Sequence, residues 1–273
     1  MDFLIWFFVF ILGTIIGSFL NVVILRYNTG KSIASGKSAC FSCAKRLSWY
    51  EMFPILSFAA LRGKCGSCKS KISWQYPLVE FCAGLLFLSS YLKLGSSTPK
   101  YYYLYYLAIF SILIVIAVYD LRHKIIPDLL SFSFAFISLA WLVFIAQPTS
   151  HVGWDGWANW DWWNLFSGPI LALPFFLMWF FSGGRWMGLG DAKLALGMGW
   201  FLGLVSGISA VILGFWIGAA VSLLSLLAQR LNLIGKNLTI KSEVPFAPFL
   251  ILGLLFVFFF GFDITNLNIL FSK

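Results

Sequence analysis

Long apolar stretches separated by short polar segments form the main pattern of the chain. Each stretch approaches the length of about 20 residues that an α-helix needs to cross a hydrocarbon layer of about 30 Å. The first stretch, residues 3–25, carries no charge. Four similar stretches follow at 77–92, 101–119, 129–146 and 162–182. This pattern predicts membrane-spanning helices.

The last third of the chain continues the same pattern. Residues 194–228 contain no charge over 35 positions, which is too long for one crossing. Gly203, Ser206 and Gly207 therefore predict a turn between two helices. A final apolar stretch covers 244–262. The expected fold is an all-α polytopic membrane protein with about eight transmembrane helices.

Composition supports this fold class. The chain is 60% hydrophobic, its mean hydropathy is +0.89, and only 29 of its 273 residues are charged. No soluble core explains such an excess of apolar residues. The first apolar stretch lacks the basic start and the small-residue cleavage site of a signal peptide, so residues 1–25 are expected to remain as the first transmembrane helix.

The basic residues predict the orientation of the chain. With eight helices, the polar segments 26–76, 120–128, 183–193 and 229–243 lie on one side and hold 16 of the 19 Lys and Arg residues. Lys and Arg are retained on the cytoplasmic side of a membrane. The net charge of +9 thus fits contact with the lipid surface, and no nucleic acid is expected as a partner.

The polar segment 26–76 contains two CxxC pairs separated by 21 residues, with the cysteines at Cys40, Cys43, Cys65 and Cys68. Two such pairs supply the four thiolates of a tetrahedral Zn2+ site. Disulfides or redox dithiols are the alternative, but stable disulfides are rare in the cytoplasm. Four thiolates leave no open coordination position, so a structural zinc is expected in this small cytoplasmic domain.

Two carboxylates stand beside apolar stretches, where an isolated charge is costly. Asp191 follows Gly188 and Gly190, and Asp120 follows directly after the stretch 101–119. The eight-helix arrangement places both carboxylates at the cytoplasmic face. Two carboxylates that meet there can share a proton and activate a water molecule.

Simpler roles for these carboxylates stay open at the level of the residues. Asp191 could be the N-cap of a helix that begins at Ala192. Asp120 could be an interfacial partner of Arg122 or Lys124. Asp128, which directly follows a proline, is best explained as a helix-start residue.

Several motifs in a fixed order resemble those of the type IV prepilin peptidases, bifunctional membrane enzymes that cleave the leader of pilins and pseudopilins and N-methylate the new terminus. The resemblance covers nearly the whole chain. Its elements are Gly17 to Arg26, the two CxxC pairs, Leu61 to Cys65, Ile72 to Glu80, Asp120 to Asp128, and Gly188 to Leu194.

The resemblance implies that Asp120 and Asp191 form the catalytic dyad of an aspartic protease, supported by Gly188, Gly190 and Lys193. The implied substrates are type IV prepilins or pseudopilins. Their cleavage falls after a glycine at the cytoplasmic face of the bacterial inner membrane. The implied methyl donor is S-adenosylmethionine.

The resemblance places methyl transfer in the segment between the first two helices. No glycine-rich strand-to-helix fingerprint occurs in the chain, so a Rossmann-type methyltransferase is not supported. The polar candidates are Arg26, Glu51, Arg62 and Glu80, although Glu80 could instead balance the dipole of its helix or pair with a lysine. The expected domains are the first helix (1–25), the zinc-binding and methyltransferase domain (26–76) and the peptidase domain (77–273).

Other functions stay open. Trp49 to Pro54 departs from the pattern common in the family, so a peptidase without methyltransferase activity is one alternative. A transporter with a zinc-binding cytoplasmic domain is another, but it predicts charges at mid-membrane, whereas both aspartates fall near predicted helix ends. A noncatalytic scaffold would leave both aspartates without a role. The oligomeric state is not predicted.

Overall fold

The structure is a computed structural model that describes residues 2–30, 32–33, 38–95, 98–144, 162–231 and 245–262. Within these ranges the chain forms nine α-helices and a 3-10 turn at Trp49–Met52. The helices are α1 (Asp2–Arg26), α2 (Leu56–Ala60), α3 (Gln75–Leu94), α4 (Lys100–His123), α5 (Asp128–Phe144), α6 (Trp162–Ser182), α7 (Leu189–Leu202), α8 (Leu204–Arg230) and α9 (Ala247–Phe260).

Eight of these helices, all except α2, lie where the apolar stretches predict them. The predicted turn falls at Gly203, where α7 ends and α8 begins, whereas Ser206 and Gly207 already belong to α8. Among the described residues, five helices (α1, α3, α4, α6 and α8) are long and apolar enough to cross a bilayer. Helices α7 and α9 have only 14 residues each, or about 21 Å, which is less than a hydrocarbon layer. The multi-pass helical fold is confirmed, whereas the count of eight crossings stays a prediction.

Residues 1–115 form one compact unit, in which α1 packs against α3. The two helices approach closely at Gly17, where a Cβ would lie 2.7 Å from the Cα of Glu80. Small residues allow this approach between membrane helices. The buried Asn21 extends the contact, because its amide donates a hydrogen bond to the carbonyl of Tyr76 at 3.2 Å. These contacts fix the place of Glu80 on α3.

The same unit contains the cysteine-rich segment between α1 and α3. An isolated antiparallel bridge pairs Ala39 with Arg46 across the first CxxC turn. A second bridge pairs Lys64 with Lys71 across the second turn. Each CxxC pair therefore lies in a short loop whose two sides are tied together by backbone hydrogen bonds.

Residues 116–273 form the second compact unit, in which α7 contacts α5, α6, α8 and α9. The side chains of Leu194 and Met198 on α7 are completely buried. Ser167 on α6 donates a hydrogen bond to the carbonyl of Gly199 on α7 at 2.8 Å. Because four helices pack around α7, a carboxylate in its first turn is enclosed by protein.

Candidate active site and metal centre

Asp120 lies in the last turn of α4, and only 4% of its surface is exposed. Its Oδ2 accepts a hydrogen bond from the backbone N–H of Ala247 at 3.2 Å. Ala247 is the first residue of α9, and the N–H groups of a first helical turn have no partner within their own helix. The partially positive start of α9 therefore faces the carboxylate of Asp120.

Asp191 is the third residue of α7 and is 8% exposed. Helix α7 begins at Leu189, and Gly188 in extended conformation is its N-cap. The hypothesis that Asp191 caps a helix beginning at Ala192 is therefore wrong. The helix starts earlier because the N–H of Asp191 already donates to the carbonyl of Gly188, which closes the first turn. The carboxylate of Asp191 in turn accepts the N–H of Gly188.

The two glycines before Asp191 differ in what surrounds them. A Cβ on Gly190 would lie 2.7 Å from the Cβ of Ile126, closer than real side chains approach. A Cβ on Gly188 would meet no atom nearer than 3.8 Å. Gly190 is therefore required for the close packing of the first turn of α7 against the segment that follows Asp120, and Gly188 is not.

The carboxylates of Asp120 and Asp191 are close enough for their charges to interact. Each carboxylate accepts one backbone N–H, so hydrogen bonding does not single out either as the ionised member. Two such groups share one proton and titrate as a pair. The ionised member can take a proton from water, and the protonated member can donate to a carbonyl oxygen on which negative charge develops.

Lys193, the third supporting residue predicted near the dyad, connects two helices. Its Nζ lies 2.7 Å from Oδ1 of Asp128 and 5.0 Å from the centre of the Phe132 ring. Asp128 is the first residue of α5, which confirms its interpretation as a helix-start residue. Lys193 thus joins the first turns of α5 and α7 and does not bind the dyad through this contact.

The four cysteines of the CxxC pairs converge in the first unit. Their Sγ atoms all lie within 4.8 Å of one another, and those of Cys40 and Cys68 are 3.8 Å apart. A tetrahedral ion with metal–sulfur bonds of about 2.3 Å requires sulfur atoms about 3.8 Å apart. The backbone N–H groups of Cys43 and Ser42 lower the pKa of Cys40 to about 6, which favours the ligating thiolate. This donor set can hold a metal ion.

Glu51, one of the four methyltransferase candidates, stabilises the cysteine-rich segment. Its Oε2 accepts the N–H of Ser48 at 2.9 Å, and its Oε1 lies 3.5 Å from Nζ of Lys45. The Ser48 N–H, together with Lys45, holds the pKa of Glu51 below its ordinary value. A Cβ on Gly66 would lie 2.7 Å from Oε1, so the carboxylate also packs against the second CxxC turn. These contacts explain Glu51 as a structural residue.

The two candidate arginines lie apart along the chain. Arg26 ends α1 and donates a hydrogen bond to the carbonyl of Ser32 at 2.7 Å. Arg62 is exposed in the turn after α2 and has a positive φ of 50°. Neither position indicates a specific chemical role.

Glu80 is a buried carboxylate on α3, and 6% of it is exposed. Its Oε2 accepts the N–H of Ile55 at 2.8 Å, and Ser18 on α1 forms a second hydrogen bond with the side chain. None of the described Lys or Arg residues forms an ion pair with it. The alternative of pairing with a lysine is therefore wrong within the described part of the chain. Glu80 is held by neutral donors, and no described Lys or Arg residue would compensate a charge on it.

Sequence reasoning missed the backbone groups that hold these carboxylates. Ala247 and Ile55 are apolar residues far from Asp120 and Glu80 along the chain. Their side chains do not indicate that their backbone N–H groups bind a carboxylate. One signal was present for Ala247: Pro245 and Pro248 mark a constrained entry into the last apolar stretch. Ile55 follows a proline but carries no comparable signal.

The fold and these sites define a multi-pass membrane protein with a buried aspartate pair and a cluster of four cysteines that can hold a metal ion. Two family profiles match the chain: the bacterial peptidase A24 N-terminal domain over residues 11–94 and the type IV leader peptidase family over residues 107–223. The chain belongs to the type IV leader peptidase family. No solved structure matches it.

Curated relatives extend these matches along the chain. A protein from Myxococcus xanthus named prepilin leader peptidase/N-methyltransferase is 34% identical over 81% of this chain, which spans 63% of that relative. A Bacillus subtilis protein of the same name is 31% identical over 95% of this chain and 96% of its own length. An Escherichia coli type 4 prepilin-like proteins leader peptide-processing enzyme is 30% identical over 88% of each chain.

Proposed function

We propose that this protein is a prepilin peptidase that cleaves the leader of type IV prepilins or pseudopilins with Asp120 and Asp191. The observation that carries this proposal is the buried pair of interacting carboxylates in the second unit. The names of the relatives support the choice of substrate. Family membership supports the choice of reaction.

The proposed mechanism needs only the two carboxylates and a water molecule. The ionised member takes a proton from water as the oxygen attacks the scissile carbonyl, and the protonated member hydrogen-bonds the carbonyl oxygen. The proton then passes to the leaving amine as the peptide bond breaks. The N–H groups of Ala247 and Gly188 hold the carboxylates in place during this exchange. Gly190 keeps the first turn of α7 close to Ile126.

The proposed site of cleavage is the cytoplasmic face of the bacterial inner membrane. The distribution of Lys and Arg supports this side, because 16 of the 19 lie in segments assigned to it. A prepilin has a short basic leader before an apolar helix, so its scissile bond lies at the membrane surface. Asp120 and Asp191 both lie near helix ends, which suits a bond at that depth.

The metal of the four-cysteine centre is proposed to be a structural Zn2+ ion. Four thiolates in tetrahedral arrangement are typical of zinc, and they leave no position for a substrate. The segment around them contains few helical residues and a small core, so metal binding would supply part of its folding free energy. The cysteines would hold the ion, and the backbone bridges would hold the cysteines.

The second proposed activity is methylation of the new N-terminal amine with S-adenosylmethionine as donor. The names of the Myxococcus xanthus and Bacillus subtilis relatives include this activity. When bound, S-adenosylmethionine would supply the methyl group to the amine nitrogen and would leave as a neutral thioether. If the protein is instead a peptidase without this activity, the mature pilin should have the mass of the unmethylated chain.

A cleavage assay tests the peptidase assignment. The purified protein in lipid nanodiscs is mixed with a prepilin, and leader removal is followed by mass spectrometry. Asp120→Asn and Asp191→Asn should each reduce the cleavage rate by at least about 1,000-fold, because an amide cannot take the proton from water. Cys82→Ser, a change on an exposed face of α3, should leave the rate unchanged. Undiminished leader removal by either Asn variant would refute the dyad.

A further inference from the structure

An apolar groove in the first unit lies between α1 and the Trp49–Pro54 segment. Its volume is about 380 Å3. Ile15, Ser18, Phe19 and Val22 form one wall, and they share a face of α1 because they are three or four positions apart. Phe53 belongs to the opposite wall. On a membrane-spanning helix, apolar surface of this kind is covered either by lipid chains or by an apolar segment of a partner.

One wall of the groove contacts a buried carboxylate. Ser18 lines the groove, and its side chain forms a hydrogen bond with the carboxylate of Glu80. Glu80 lies in a membrane-spanning helix without an ion-pair partner among the described residues. Such an uncompensated charge is costly in apolar surroundings and usually has a function. Glu80 does not itself line the groove. Its carboxylate lies directly behind two lining residues, Ser18 and Pro54, through its hydrogen bonds with Ser18 and Ile55. An apolar groove with a carboxylate behind its wall suits a ligand that has an apolar body and a positive end.

The wall of the groove is anchored to the same carboxylate. The N–H of Leu56 donates to the carbonyl of Pro54, so Ile55 lies at the centre of a γ-turn with φ of 61° and ψ of −50°. This conformation is rare and strained for a β-branched residue. The N–H of Ile55 donates to Oε2 of Glu80 and holds the turn. The carboxylate therefore fixes the position of Pro54, which lines the groove.

We infer that this groove binds the apolar N-terminal segment of the cleaved pilin or pseudopilin, with the new terminal amine directed to Glu80. A cleaved pilin matches the groove because it begins with an apolar segment and carries an ammonium group at its first residue. The groove lies beside a membrane-spanning helix, where a membrane-embedded substrate can reach it. This inference rests on the proposed methyl transfer and names its acceptor site.

Glu80 acts in this site as the proton acceptor for methylation. The terminal ammonium has no lone pair, so one proton must leave before the nitrogen can react. The carboxylate takes that proton and becomes a carboxylic acid. The nitrogen lone pair then forms the bond to the methyl carbon of the sulfonium donor, and the electrons of the broken carbon–sulfur bond remain on sulfur. The secondary ammonium product carries the positive charge that the sulfonium loses.

A simpler explanation is that Glu80 only accepts the N–H of Ile55. Glu80→Gln separates the two explanations, because the amide oxygen of glutamine still accepts this hydrogen bond but cannot take a proton from an ammonium group. The assay uses the full-length protein in nanodiscs, S-adenosylmethionine and a synthetic mature pilin peptide with a free N-terminus. Methylation is measured by mass spectrometry, and cleavage of a prepilin is measured in parallel.

Glu80→Gln should lower kcat for methylation at least about 100-fold, the usual contribution of a proton acceptor. The Glu80→Gln variant should cleave prepilin at the rate of the wild-type protein. Phe19→Ala should raise KM for the mature peptide about tenfold through loss of apolar contact, with kcat unchanged. Phe8→Ala is the matched control, since Phe8 is also exposed on α1 but does not line the groove.

Each contrary outcome contradicts a defined part of the inference. Wild-type methylation by Glu80→Gln would overturn the role of the carboxylate. Equal KM values for Phe19→Ala and Phe8→Ala would overturn the groove as the acceptor site, as expected if lipid chains fill it. An unchanged protein that cleaves prepilin without methylating the peptide would overturn the proposed methyl transfer and this inference together, while the peptidase assignment would stand.

Discussion

Three buried carboxylates on the helices α3, α4 and α7 are each held by a backbone N–H group. Asp120 is held by Ala247, Asp191 by Gly188 and Glu80 by Ile55. A polar group buried without a partner costs several kcal/mol in apolar surroundings, so these donors stabilise the burial. A neutral hydrogen-bond donor also orients a carboxylate without neutralising it as a cation would. Each group therefore stays available to take up or release a proton.

The contrast between Gly188 and Gly190 gives a prediction at the same scale. Gly190→Ala should reduce prepilin cleavage at least about tenfold and lower stability by about 1–3 kcal/mol, because its Cβ would overlap Ile126. Gly188→Ala should retain most activity, since the site is open and its backbone is extended. Cleavage rates and thermal unfolding of both variants check this expectation. Equal losses in the two variants would show that close packing at Ile126 is not the cause.

At the scale of helices, the proposed catalytic site combines the end of α4, which carries Asp120, the first turn of α7, which carries Asp191, and the start of α9. Helix α7 is short, apolar and enclosed by four others, which gives its first turn a rigid frame. Helix α9 contributes no side chain to the dyad through the observed contact, but its first N–H donates to Asp120. Both helices thus position the carboxylates through their starts.

The role of α9 can be tested by changing one backbone atom. Replacing Ala247 with lactic acid converts its amide to an ester and removes the N–H that Asp120 accepts. The cleavage rate should fall at least about tenfold, because a hydrogen bond to a charged group contributes about 1.5–3 kcal/mol. The matched control is leucic acid in place of Leu252, which is exposed on the same helix. If the two ester variants cleave prepilin at the same rate, the start of α9 does not position Asp120.

At the scale of the whole molecule, the chain forms two compact units with different chemistry. The first contains the four cysteines and Glu80, and the second contains Asp120 and Asp191. The boundary at residues 115 and 116 falls within α4. The sequence prediction of separate 26–76 and 77–273 domains is a functional division, and it stays a prediction.

Metal removal is expected to affect the first unit. The purified protein should contain about one zinc ion per chain by elemental analysis. Cys65→Ser should abolish the zinc content and expose residues 38–74 to proteolysis, since metal binding contributes to folding. Cys82→Ser should keep the zinc, because Cys82 lies on α3 outside the cluster. A zinc-free wild-type protein with an intact cysteine-rich segment would contradict the structural role.

Membrane orientation gives a further prediction at this scale. Single cysteines placed at Lys124 and Arg185 should react with a membrane-impermeant thiol reagent only after the inner membrane is opened. A cysteine placed at Lys100 should react in intact cells, because it belongs to the opposite side in the predicted arrangement. Labelling of Lys124→Cys and Arg185→Cys from opposite sides would separate Asp120 from Asp191 and contradict the shared site.

The sequence by itself determined the helical membrane fold, the places of the eight apolar helices and the two CxxC pairs. These features follow from local patterns in the sequence. The apolar runs are long enough to cross a bilayer as helices, and the cysteines have the spacing of metal ligands. It also singled out Asp120 and Asp191, because a carboxylate is conspicuous in an apolar chain. Helix lengths were less predictable, since α7 and α9 end after 14 residues.

Only the tertiary structure decided which atoms meet these residues. It paired Asp120 with the N–H of Ala247, placed Gly190 against Ile126, and held Glu80 between Ser18 and Ile55. Backbone donors and close contacts depend on how distant segments pack, so the identity of a residue does not reveal them. A sequence can therefore show where a charge is costly, but packing decides what that charge can do.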